Sequence, residues 1–326
     1  MKKITVSAPG KLMLLGDHAV VHNRPCLVTA VDQRMEVTVT RLDVPELQLE
    51  ASGVKVTGYK KKLKDLGKGD IPKGAKFVEI AVKNFFKQYP LQGGLRVETK
   101  SAFSSLVGFG SSSASTVCTI KAISELTGSK LSNKSLFKLA YKTVIDIQGV
   151  GSGFDIAAGI YGGILYFIGG GKVITPIAVA NFPLIVGYSG SKGDTPTLVK
   201  MVGAKLKEYP KIYPVHFDVS TTCVETGKKA LIAGDFEKFG ELMNINEGLL
   251  SAYGVETDTL AAMNYAARSA GAYGAKLSGA GGGDCMIALA SKDKKKDVEK
   301  AIAAVGGEII SVKTNAEGVR VEKSLK

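Results

Sequence analysis

Six consecutive residues, Gly108, Phe109, Gly110, Ser111, Ser112 and Ser113, combine two glycines with three serines. Glycine lets a backbone approach a ligand closely, because no Cβ intervenes. Serine hydroxyls cap helices and donate hydrogen bonds. Behind them Ala114, Val117, Cys118, Ile120, Ala122 and Ile123 recur at helical spacing. The stretch therefore reads as a glycine-rich turn opening a helix over about 113–127. Free N–H groups and the positive dipole end at such a helix start make an anion site, with phosphate the best-suited anion. Taken alone, the same residues read equally as an ordinary cap on a buried helix.

Two further glycine clusters accompany it. Residues 148–155 form a glycine-rich turn that ends on Asp155, and residues 279–283, Gly-Ala-Gly-Gly-Gly, are too small to pack a core. The latter reads either as a loop that hugs a ligand or as a plain hairpin loop between strands. Lys11 and Asp155 are the best charged pair for phosphoryl transfer, which needs positioning and charge more than covalent help. Asp155 would take a proton from a substrate hydroxyl, and Lys11 would offset charge on the moving phosphate. A helix-capping Asp and a solvent-facing Lys are the plain alternatives. A Gly-x-x-x-x-Gly-Lys-Ser/Thr sequence is absent. So are the dinucleotide fingerprint and the protein-kinase set.

The chain of 326 residues has room for two domains, and 45% of it is hydrophobic. No apolar run reaches the roughly 18 residues of a membrane span. The start, Met1-Lys2-Lys3, leads into alternation rather than a signal peptide, so a soluble cytoplasmic protein is expected. Cys26, Cys118, Cys223 and Cys285 are scattered in apolar settings and read as buried free thiols. Three histidines, His18, His22 and His216, cannot make a His-rich metal site. The net charge of +13 is partly clustered at 60–64 and 292–296. Such a balance suits nucleic acid, an anionic surface or anionic small substrates. No nucleic-acid motif accompanies it, so nucleic acid and membrane are not expected as partners.

The elements that must position these residues follow from periodicity. Strands are expected at 3–8, 26–31, 34–40, 94–99, 163–168, 173–177 and 182–188. Pro9-Gly10-Lys11 follows the first strand and leads into an apolar run, 12–15, which Gly16-Asp17-His18 breaks, and the Lys- and Gly-rich residues 52–74 read as a mobile loop. Helices are expected at 75–88, 113–127 and 134–146 (capped by Ser132), with a short one at 156–161. Residues 195–325 read as mostly amphipathic helix, with segments near 195–208, 214–233, 235–252 and 256–271.

Residues 9–21 (Pro-Gly-Lys-Leu-Met-Leu-Leu-Gly-Asp-His-Ala-Val-Val), 108–114 and 276–285 resemble the three motifs of the GHMP kinases. Their order and separation match over almost the whole chain. Within that superfamily, residues 16–21 and 243–250 resemble the mevalonate kinases, which usually carry Glu where this chain has Asp17. Residues 151–155 with Ala157, Tyr161 and Gly162, and the Gly283-Asp284-Cys285 triplet, pull towards the phosphomevalonate kinases. Mevalonate kinases usually have a Mg²⁺-binding Glu eleven residues before the catalytic Asp; that position is Val144 here, with Asp146 two residues on.

The resemblance implies an α+β fold of two domains, 1–180 and 181–326, the second ferredoxin-like, with the active site in the cleft between them. It implies ATP and Mg²⁺ as cofactors, Asp155 as general base and Lys11 as its electrostatic partner. Gly108, Phe109, Gly110, Ser111, Ser112 and Ser113 would wrap the triphosphate, with Ser112 also a metal ligand. Asp17, His18, Thr195, Gly279, Ala280 and Gly281 would meet the acceptor, which is mevalonate or, second, phosphomevalonate. A homodimer is compatible with the family. The non-enzymatic alternative is a nucleotide or nucleic-acid binder on a kinase-like scaffold; the joint presence of Lys11, Ser112 and Asp155 argues against it.

Overall fold

The first strand runs on through Pro9-Gly10-Lys11 rather than ending at Ala8, and from Val6 onward every residue is buried. In the computed structural model, which describes residues 2–90, 92–180 and 182–325, Lys3–Leu15 is one strand, β1. Its partner is equally long: Pro25–Leu42 (β2) unites the two strands expected at 26–31 and 34–40. The pairing jumps from Pro9↔Arg34 to Gly10↔Val31. This bulge accommodates a proline that has no N–H to donate and bends the strand. At the bend, Lys11 N–H turns from the sheet to donate to Phe109 O (3.1 Å).

The stretch read as a mobile loop is partly sheet. Glu46–Ala51 (β3), which periodicity did not single out, pairs antiparallel with Val56–Lys62 (β4). Leu47, Leu49 and Val56 are buried, whereas the lysines line an outer edge. Charge on an edge strand blocks further pairing. Lys61 turns inward to Glu79 (2.9 Å) on the helix Lys76–Gln88, α1.

Next come Gly94–Ser101 (β5), Ser111–Thr127 (α2), Asn133–Gln148 (α3) and Phe154–Tyr161 (α4). Ser132 caps α3 through Ser135 N, as expected. Ile164–Ile168 (β6) and Val173–Ile177 (β7) close a hairpin beside the first half of β2. Helix α2 packs on β1 and β2 on one side and on α1 and α3 on the other, so its apolar residues form the centre of the larger core.

The second half alternates sheet and helix: Leu184–Tyr188 (β8), Thr195–Glu208 (α5), Tyr213–Ala233 (α6), Phe236–Tyr253 (α7), Asp258–Ser269 (α8), Gly274–Leu277 (β9), Cys285–Leu289 (β10), Lys295–Ala304 (α9), Glu308–Ile309 (β11) and Arg320–Leu325 (β12). The four helices from 195 to 269 lie where their spacing placed them. Helix does fill most of 195–325, and the strands after 269 are what that reading left out. These strands are two to six residues long, and β10 is wholly apolar, so they show little alternation to detect. An antiparallel sheet, β11-β8-β10-β9, forms a second core with α8 and α9. Strand β12 instead returns to pair with β1 in the first sheet. The four cysteines are free and buried. Among the described residues, no helix is long and apolar enough to cross a membrane.

Candidate active site

The glycine-serine stretch opens α2 as its composition predicts. Gly108 and Gly110 take φ of +74° and +78°, the left-handed region where a side chain would be strained. A Cβ on Gly108 would lie 2.7 Å from Asp284 Cβ and Cγ, and one on Gly110 would lie 3.2 Å from Lys11 Cε. No side chain caps α2, and its first helical hydrogen bond runs from Ala114 N–H to Gly110 O. The preceding amides are thus left free at the positive end of the helix dipole. They face a cleft of about 320 Å³ that gathers all three glycine clusters.

Asp155 sits in the first turn of α4 and reaches the start of α2. Its Oδ2 accepts a short hydrogen bond from Ser113 Oγ, and its Oδ1 accepts from Ile156 N–H (3.0 Å). Lys11, 8% exposed, donates from Nζ to Gly108 O (2.8 Å) and lies over the Phe154 ring at 5.4 Å. Gly110 lies between the two: its Cβ position is close to Lys11 and 3.7 Å from Asp155 Cβ. They flank the glycine-serine turn rather than forming an ion pair with each other. This arrangement can hold a polyphosphate on backbone amides, with one cation and one carboxylate beside it.

The profile "GHMP kinases N terminal domain" matches residues 76–163, and "GHMP kinases C terminal" matches residues 228–308. A mevalonate kinase of Pyrococcus horikoshii is 35% identical over 334 residues, spanning 99% of both chains. This chain belongs to the GHMP kinases. Among solved structures, the Methanococcus jannaschii mevalonate kinase superposes with a TM-score of 0.80 at 26% identity, covering 95% of this chain and 97% of that one. The L. major mevalonate kinase, solved with R-mevalonate, gives 0.77 at 26% identity, covering 95% of each. GHMP kinases take phosphate from ATP, and the α+β architecture described above is theirs.

The other expected residues of this GHMP kinase divide into two sets. His18, Thr195, Gly279 and Ala280 line the cleft with Lys11, Gly108, Gly110, Ser111, Ser112, Ser113 and Asp155. Asp17, Phe109 and Gly281 do not. Phe109 is buried against Phe103 and contributes its carbonyl to Lys11. Gly281 packs on Val255 O, where a Cβ would come within 2.3 Å. Asp17 is 1% exposed; its Oδ2 pairs with the buried Lys276 (2.7 Å) and its Oδ1 accepts from Gly279 N–H (2.7 Å). It therefore holds the 279–283 loop at the edge of the cleft from behind.

His18 has φ +57° and ψ −49°, and Ala19 N–H bonds back to Asp17 O (2.6 Å). That is a γ-turn of the strained, positive-φ kind. It aims the imidazole across the cleft, where Nε2 lies 3.0 Å from Ala280 O. A carbonyl only accepts, so Nε2 carries the proton and Nδ1 of the neutral ring is an acceptor. Burial holds this imidazole below its ordinary pKa, against the opposing pull of Ala280 O and Asp17.

Lys73, Lys192, Ser278 and Asp284 also line the cleft, and residue-by-residue reasoning assigned them no role there. Ser278 Oγ accepts from Met13 N–H (2.9 Å) and donates to Met13 O (3.1 Å), which ties β1 to the third glycine loop. Lys192 donates a short bond to Ser105 O. Asp284, at φ +59°, accepts from Gly193 N–H (3.3 Å). Burial raises its pKa, offset by Lys11 and Lys192. Its place directly after Gly281, Gly282 and Gly283 was a readable signal. Val144, where a metal-binding Glu was expected, lines the cleft with an apolar side chain. Asp146 does not line it; it is tied to Lys142 (2.6 Å) and Asn84 (2.9 Å).

Proposed function

We propose that this chain is a mevalonate kinase, transferring the terminal phosphoryl group of ATP to the primary hydroxyl of mevalonate. The observation that carries the chemistry is Asp155 at the free amino end of α2, held by Ser113 with Lys11 across Gly110. The full-length similarity to mevalonate kinases supports the acceptor. The Asp155 carboxylate receives the hydroxyl proton as the alcohol oxygen bonds to phosphorus and the bond to the ADP oxygen breaks. Lys11 and the amides of Ser111 to Ser113 offset charge on the transferring group. Neutral His18 offers Nδ1 as an acceptor for a polar group of the acceptor molecule, and Thr195 borders the same space.

Mg²⁺ suits the donor set. Ser112, which lines the cleft, supplies a hard hydroxyl oxygen. With Val144 apolar, it would hold the ion together with nucleotide oxygens and water; the ion would neutralise phosphate charge. We place the nucleotide on residues 1–180 and part of the acceptor wall on residues 181–326.

A second reading rests on Lys73, Lys192 and Asp284. The extra cations Lys73 and Lys192 in the cleft suit an acceptor that already carries phosphate, and Asp284 enters only through the resemblance of the third motif to phosphomevalonate kinases. Steady-state turnover with each acceptor decides: activity on mevalonate supports the first reading, and activity on phosphomevalonate alone supports the second.

A further inference from the structure

Strand β9 is the outer strand of the second sheet, with no strand beyond it. Its free edge is satisfied by side chains of α7 and α8 instead. Asn244 Oδ1 accepts from Ala275 N–H (3.0 Å), Arg268 donates to Ala275 O (3.2 Å), and Glu247 Oε2 accepts from Leu277 N–H (2.8 Å). Leu277 is the last residue before the loop 278–283 that borders the acceptor space. Glu247 is 4% exposed, an unusual place for a carboxyl on a helix.

Its second oxygen enters a crowded cluster. Asn264 Nδ2 donates both to Glu247 Oε1 (2.8 Å) and to Glu256 Oε1 (3.3 Å), so two carboxyl groups meet on one amide. Like charges this close cannot both ionise cheaply, and one proton between them removes the repulsion. Asn264 Oδ1 is buried without a partner, which leaves an acceptor in the cluster for such a proton. The other charge facing Glu247 is Lys276, already paired with Asp17. Glu256 follows Val255, whose carbonyl accepts from Gly282 N–H (2.7 Å). The loop is thus hung from Glu247 at one end and from the segment carrying Glu256 at the other.

We propose that Glu247 and Glu256 share one proton and act as positioning residues, a clasp that holds the 278–283 loop against the acceptor. With the proton in place, α7 and the 254–256 segment draw together and the loop is fixed. Loss of the proton pushes the two carboxylates apart and releases the loop. Burial and the neighbouring Glu256 raise the Glu247 pKa to about 8, against the pull of Lys276 and Leu277 N–H. The release therefore falls just above neutral pH.

The relevance to turnover rests on the functional reading above, but the clasp is tested without any acceptor. Hydrogen exchange of the Gly279 and Gly282 amides, corrected for intrinsic pH dependence, is measured from pH 7 to 9 in the whole protein. One pH unit above the midpoint the ionised pair predominates about tenfold, so exchange in the wild type is expected to rise by about that factor. Glu247→Gln and the half-buried Glu256→Gln each make one partner permanently neutral and are expected to keep exchange flat. Acceptor KM should rise over the same pH range in the wild type alone, with kcat little changed. An equal rise in exchange in all three proteins, or none in the wild type, overturns the clasp. The predicted exchange pattern in a protein that does not turn over mevalonate supports the clasp and overturns the choice of acceptor.

Discussion

Ser113 Oγ donates to Asp155 Oδ2 across 42 residues of sequence, tying the first turn of α4 to the first turn of α2. The same bond orients the carboxylate and leaves Asp155 beside the free amides of the phosphate loop. If Asp155 is the general base, Asp155→Asn should lower kcat by about 10²–10⁴-fold, the usual worth of a positioned base. Calorimetric binding of a non-hydrolysable ATP analogue should stay within a few-fold. Ser113→Ala should cost less, because it loosens the carboxylate without removing it. Near-normal turnover of Asp155→Asn would reject the assignment.

Gly108 is where backbone and packing requirements coincide. Its φ of +74° and the Asp284 side chain 2.7 Å from the Cβ position both exclude a methyl group. Gly108→Ala should weaken nucleotide binding and cost about 1–3 kcal/mol of local strain. Adding Asp284→Gly should recover the steric part but not the strain. Analogue affinities of the two single variants and the double variant provide the test. Strict additivity would mean that the two residues do not meet as described.

The legible and illegible parts of this chain differ for physical reasons. The helices from 195 to 269 announced themselves through apolar spacing, and the three glycine clusters through composition. Both are local properties. Strands β3, β9, β10 and β12 did not, because sheet formation depends on partners far away in sequence. The lysines of β4 masked an edge strand as a loop for the same reason. The cleft residues divide similarly. Ser111 to Ser113 and Asp155 carry their signal in a motif. By contrast, Asp17 sits in a motif yet acts through Lys276, and only the fold brings those two together. Lys192 and Lys73 carry no signal at all until the cleft surrounds them.

His18 gives a pH prediction with a definite sign. Burial keeps the folded imidazole neutral below its ordinary pKa of 6.5, so between that value and the lowered one the unfolded chain binds more protons. Stability from this residue is fully present above pH 6.5 and is lost as pH falls through that window. His18→Asn does not titrate and tolerates a positive φ. Its melting temperature should fall less between pH 7 and 5 than that of the wild type, measured by calorimetry. Parallel curves would show that His18 is not held neutral.

Lys276 and Asp17 are both fully buried and 2.7 Å apart, and Asp17 also holds Gly279 N–H. Lys276→Met should leave Asp17 as an unpaired buried charge and cost about 3–5 kcal/mol, the usual penalty for breaking such a pair. Asp17→Asn in that background removes the charge yet keeps an oxygen for Gly279. The double variant should therefore be more stable than Lys276→Met alone. Denaturant unfolding of the set measures the coupling. A double variant less stable than Lys276→Met would mean that Asp17 is needed for more than neutralising Lys276. Acceptor KM should follow the same order as stability, because the Gly279 amide at the edge of the cleft rests on this pair.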